Sequence, residues 1–154
     1  MRKIFRLALL VLVLALIVAQ FFPPDRTNPQ VNPGATFEAV AKASPEAARV
    51  FQRACYDCHS NTTIWPWYSR VAPVSWLLAD DVRKGRAHVN FSEWANYGPD
   101  MASEKLKDAC AEVKAGEMPL WFYRIVHSQS RLSEEDVNAI CGAVGKTVST
   151  DGKE

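Results

Sequence analysis

The chain has 154 residues, 48% of them hydrophobic and 23% charged, with a formal net charge of +1. That length suits one packed domain and is too short for two. The near-neutral balance lacks the basic surplus that marks a nucleic-acid partner, so no such partner is expected.

Arg2, Lys3 and Arg6 precede an uninterrupted apolar run, "LALLVLVLALIVA", which extends past Gln20 through Phe21 and Phe22 to Pro23-Pro24. Without those three, 15 basic side chains face 17 acidic ones, so the basic head belongs to targeting, with its charge kept on the cytoplasmic side. Leu7 to Phe22 would span about 24 Å as helix, just short of a bilayer core unless Ile4, Phe5 and a snorkelling Arg6 add a turn. The best cleavage match, Ile17-Val18-Ala19, puts a bulky residue at the first selective position. Residues 1–22 are therefore read as an uncleaved single-pass transmembrane helix. The remainder would be exported across that membrane, where thiols can be oxidised.

"PPDRTNPQVNPGA", residues 23–35, has four prolines and hardly any apolar side chains, and reads as an extended tether. Residues 36–148 form the expected domain and 149–154 a tail. Ser44 and Pro45 mark a helix start, with Val50, Phe51 and Ala54 on one face running into Cys55. Val74, Leu77, Leu78 and Val82 stand at helical spacing before Gly85, where that helix is expected to stop. Ser103 caps a third helix with Leu106, Cys110 and Val113 on its stripe and Gly116 at its end. Ser133 and Asp136 have capping-box spacing ahead of Val137, Ile140, Cys141 and Val144. No stretch alternates with period two, so the domain is expected to be mainly α.

Cys55-Tyr56-Asp57-Cys58-His59 has the spacing of covalent c-type haem attachment. Two thiols form thioethers with the haem vinyl groups, and the adjacent histidine offers a nitrogen to the iron. A zinc site would need a second ligand pair, and Cys110, Cys141, His88 and His127 show no paired knuckle spacing. A thioredoxin-like dithiol belongs to a βαβ pattern that does not precede Cys55, and a disulfide across two residues would staple almost nothing.

Met118, in the loop behind the third helix and followed by Pro119, is the leading candidate for a second iron ligand. Its bland alternative is core filling, which methionine does well. His88 and then His127 are rival ligands, though a lone histidine is more often a surface or hydrogen-bonded structural residue. Every tryptophan lies between Trp65 and Trp121, an interval whose aromatic residues could line a haem pocket or form ordinary core. Cys110 and Cys141 lie on apolar stripes, where a disulfide between helices and simple packing both stay open.

"CYDCHSNTTIWPWYSRVAPVSWLL", "GRAHVNFSEW" and "GEMPLWFYRIVHSQSRLSEED" together resemble the small bacterial haem-binding domain family related to c-type cytochromes. The resemblance covers almost the whole part beyond the tether. It implies a small cytochrome c-like helical domain around a single covalent haem c, anchored by one pass in the inner membrane and facing the periplasm. Cys55 and Cys58 would be the attachment sites, His59 the axial ligand and Met118, in "GEMP", the second ligand. His88 also falls within the resemblance. The expected function is one-electron transfer between redox partner proteins, with no catalytic residues. The alternative is a haem-based sensor or peroxidase-like enzyme with an open distal site, which would bind carbon monoxide in its ferrous form. A third reading is a module whose cysteines form only disulfides.

Overall fold

The computed structural model describes residues 1–41 and 43–147. The expected tail, 149–154, lies outside the described residues. In chain order the helices are α1 (Arg2–Ala19), α2 (Phe37–Val40), α3 (Pro45–Ala54), α4 (Tyr56–His59), α5 (Val74–His88), α6 (Pro99–Ala115), α7 (Trp121–Val126) and α8 (Glu134–Thr147). Short 3-10 turns lie between several of them, and no strand occurs among the described residues.

The expected transmembrane helix is not supported, and with it goes single-pass anchoring in the inner membrane. No helix among the described residues is long and apolar enough to cross a membrane. α1 contains Arg2, Lys3 and Arg6, and it ends at Ala19 rather than Phe22. Its uncharged stretch from Leu7 onward is thus about 20 Å long, against roughly 30 Å of hydrocarbon. The following residues are fastened to the domain. Gln20 pairs with the backbone of Ala72 in both directions, its Oε1 accepting from the amide and its Nε2 donating to the carbonyl. Trp76 Nε1 donates to the Phe22 carbonyl at 2.7 Å, and Arg26 to the Ser69 carbonyl at 2.7 Å. Arg86 reaches the Thr27 carbonyl and Asn28 Oδ1, so the proline-rich segment lies along the domain.

α3 starts where Ser44 Oγ accepts from the Ala47 amide and Pro45 supplies the first turn. It buries Ala47, Val50, Phe51 and Ala54. The one-turn α2 gives too few residues for a periodic signal, yet it delivers the central core side chain. Phe37 is fully buried, edge-on to Phe51, Phe91 and Trp94 with ring centroids 5.0, 5.4 and 4.8 Å away. Such edge-to-face contacts add to the stabilisation from burial alone.

α5 runs through Gly85 to His88, past its expected stop. The glycine is there for contact. A Cβ at position 85 would stand 2.4 Å from the Cys58 carbonyl oxygen and 3.0 Å from its carbon, so only glycine lets α5 lie against the cysteine turn. Alanine at 85 gains up to about 1 kcal/mol of helix propensity but pays about 3 kcal/mol in overpacking against backbone. Gly85→Ala is therefore expected to lower unfolding stability by about 2 kcal/mol, measured by urea titration. Val74 and Leu77, placed on the inner stripe by their spacing, are exposed, and α5 buries Ser75, Val82 and Gly85.

α6 begins at Pro99, four residues ahead of the expected cap, because proline at the first helical position needs no amide donor. Ser103 is instead buried inside the helix. The end at Gly116 is left-handed, with φ 76°, the conformation that favours glycine. α6 packs along α8 through Leu106 and Val113 on one side and Ile140 and Ala143 on the other. A Cys110–Cys141 disulfide joins the pair, with Cα atoms 4.8 Å apart.

At the start of α8, the Asp136 amide donates to Ser133 Oγ and the Ser133 amide to Asp136 Oδ2, a reciprocal cap. Arg53, from the last turn of α3, adds an ion pair to Asp136 and donates to the carbonyls of Gln129 and Arg131. The Arg53 hydrogen bond holds the Asp136 carboxyl below its ordinary value of 3.8. A depressed acid stabilises the fold above its unfolded pKa, and that stability fades as pH falls through the folded value. Asp136→Asn is expected to lose about 1.5 kcal/mol at pH 7 and to match the parent chain in strong acid. Urea titrations across pH measure it.

Candidate functional site

Cys55 sits at the break between α3 and α4, with φ −121° and ψ −34° outside helical values. The amides of Cys58 and His59 both donate to its carbonyl, at 3.1 and 2.9 Å, which winds the next residues into a single turn. Both thiols are free and half-buried. Burial pushes each up to about 12, reinforced at Cys55 by Cys58 and at Cys58 by Asp81 and Asp57. They are neutral thiols at physiological pH.

His59 is oriented from behind. Its Nδ1 donates to the Val89 carbonyl at 3.2 Å, and Val89 is the buried residue that closes α5. Burial lowers its pKa, partly opposed by the backbone carbonyls of Val89 and Gly85, so the ring is favoured in its neutral form. An imidazole fixed through Nδ1 presents Nε2 as its metal-binding nitrogen, and a carbonyl behind the ring is the usual way such ligands are held.

The two residues between the cysteines fasten the turn to the rest of the domain. Tyr56 stacks on Phe91 at 5.2 Å and donates from its hydroxyl to Glu38 Oε1 at 2.6 Å. Asp57 Oδ1 accepts from the Ile64 amide at 3.1 Å, and Oδ2 accepts from the Tyr123 hydroxyl at 2.6 Å. Arg86 Nε donates to the Ser60 carbonyl at 2.7 Å just behind His59. α2, α5 and α7 therefore converge on one short turn.

Met118 is half-buried and packs on the same hydrophobic core as Cys55 and Tyr56. Its amide and that of Glu117 both reach the Glu112 carbonyl, which secures the loop to the end of α6. The bond from Met118 to the buried Pro119 is cis. His127 is half-buried at the end of α7, its ring stacked on Tyr123 at 4.1 Å and its Nε2 3.1 Å from the Tyr68 hydroxyl. His88 is exposed in the last turn of α5.

The aromatic interval divides. Phe91 and Trp94 are core, Trp65 and Trp76 hold the segment at 22–28 through their indole N–H groups, and Trp67 and Trp121 are 77% and 67% exposed. Ile64, Ile125 and Val126 are exposed beside them in sequence. Tyr68 and Tyr123 belong to the aromatic interval that the sequence offers as pocket lining, without either being singled out. Asp57 and the Val89 carbonyl carry no signal of their own in the sequence, and Gly85 reads there as a helix end.

These groups suit a haem. Two free thiols flank one turn, an imidazole behind them is held through Nδ1, and a thioether lies on the same core. Among the described residues no group of three or more His, Cys, Asp or Glu side chains could hold a bare metal ion. A porphyrin-borne iron needs only axial ligands from the protein.

A sequence profile of the haem-binding domain family matches residues 14–144. No curated protein matches the chain, and no solved structure does.

Proposed function

The chain belongs to the haem-binding domain family, and on that premise we propose that it is a c-type electron carrier. Cys55 and Cys58 would hold the cofactor covalently through their sulfurs, as thioethers to its vinyl groups. His59 Nε2 and the Met118 sulfur would bind its iron. The observation that carries the reading is the His59 ring, held through Nδ1 by the Val89 carbonyl directly beside two free thiols. When bound, the haem would supply a ferric/ferrous couple, and a thioether ligand together with an imidazole would raise its potential.

The protein's part is positioning. Gly85 admits α5 to the turn, Val89 sets the histidine tautomer, and the Tyr123–Asp57 contact closes α7 over the same turn. Redox partner proteins are the corresponding partners.

Optical spectra of the holoprotein test the ligand set. The ferric form is expected to show the charge-transfer band of sulfur ligation, lost in Met118→Ala, and the ferrous form to resist carbon monoxide until that substitution is made. A band that survives the substitution would remove Met118 from the iron. Ready binding of carbon monoxide by the parent chain would favour the open-site sensor or peroxidase-like reading.

A further inference from the structure

We propose that His127 binds a haem propionate through its Nδ1 atom. The inference rests on the covalent-haem reading and deepens it. His127 Nδ1 is buried without a hydrogen-bond partner, the one such side-chain nitrogen or oxygen among the described residues. A buried polar group left unpaired costs about 1–3 kcal/mol, so the atom calls for a partner.

The ring cannot swing away to find one. It stacks on Tyr123 at 4.1 Å and 20°, and its Nε2 faces the Tyr68 hydroxyl. With Tyr68 as the donor in that contact, the ring proton sits on Nδ1 and makes that atom a donor in need of an acceptor. Tyr123 in turn donates to Asp57, between the two attachment cysteines, so the His127 ring is held beside the haem-bearing turn.

Haem offers hydrogen-bond acceptors at its two propionate carboxylates. Iron is the poorer partner for this ring. An iron-bound histidine ordinarily gives Nε2 to the metal and Nδ1 to a fixed acceptor, the arrangement of His59 with Val89. His127 has the opposite one, with Nε2 engaged and Nδ1 free.

A donor on a propionate tempers its negative charge, which otherwise favours ferric iron. The test compares the parent holoprotein with His127→Gln, whose amide reaches toward Tyr68, and His127→Asn, whose amide nitrogen occupies the Nδ1 position. Resonance Raman reads the propionate bending band, and spectroelectrochemistry reads the potential. In His127→Gln the propionate band is expected to shift and the ferrous-to-ferric ratio at fixed ambient potential to fall about fivefold, roughly 40 mV for one electron. In His127→Asn both should return to within about twofold of the parent.

Parent values in both variants would overturn the assignment. An equal fall in both would overturn it too, pointing to general loosening. Altered iron-ligand bands would overturn it by making His127 a ligand. A parent chain without covalent haem would instead sink the underlying reading, which keeps the two failures apart.

Discussion

Replacing Cys55 and Cys58 together with serine is expected to abolish all haem that survives denaturation, while each single replacement keeps a haem-stained band on a denaturing gel. A hydroxyl occupies the thiol's place but does not add to a vinyl group under these conditions, so each substitution deletes one thioether. One remaining bond still holds the cofactor to the unfolded chain. Both positions are half-buried, Cys55 against the core, and each new hydroxyl also needs a hydrogen-bond partner or costs about 1–3 kcal/mol. The double variant therefore loses the covalent link and some stability together. Retention of denaturation-resistant haem in the double variant would mean that other groups carry it.

Removing the Cys110–Cys141 disulfide is expected to have the largest effect on stability of any change away from the haem turn. The bridge closes a sequence separation of 31 residues. The loop-entropy relation for that length gives about 3.7 kcal/mol at 25 °C. Cys110→Ala/Cys141→Ala avoids burying new hydroxyls and should lower the thermal midpoint by roughly 10 °C. Reductant should reproduce the shift in the parent chain and leave the variant unmoved. The consequence reaches the site, because α6 is what α8 is stapled to and its Glu112 carbonyl holds the Met118 loop. Loss of the staple is expected to weaken the sulfur-ligation band before the global transition. A midpoint unchanged by reductant would show that packing of Leu106, Val113, Ile140 and Ala143 alone holds the two helices.

Much of this arrangement is legible from the amino acids, and the limits have physical causes. α3 and α8 are announced by side chains that act on their own backbone, Ser44 and the Ser133/Asp136 pair, so local chemistry suffices. The Cys-x-x-Cys-His spacing points to its chemistry by local arrangement alone. α2 and α7 are too short for periodicity to register, and their roles come from long-range contacts: Phe37 in the core and Tyr123 on Asp57. Gly85 misleads because the same missing Cβ that ends helices also lets two backbones meet, and only the fold reveals which applies. The amino-terminal segment misleads for another reason. Its apolar run extends in sequence to Phe22, whereas the helix stops at Ala19 and includes the basic head. Gln20 and the Phe22 carbonyl are occupied by Ala72 and Trp76, contacts that hydropathy does not register.

His59 gains its chemical meaning in the same way. The sequence places it after Cys58, but the carbonyl that fixes its tautomer comes from Val89, 30 residues later, and approaches because Gly85 admits α5. Tyr68, Tyr123 and His127 likewise come from separate turns and meet only in the folded chain.

Covalent attachment at the cysteine turn is tested by the intact mass of the denatured protein after production with a c-type haem maturation system. A single species heavier than the chain by one haem is expected, with proteolysis placing that mass on the peptide containing Cys55 and Cys58. A mass equal to the bare chain, with haem released into the denaturant, would contradict it.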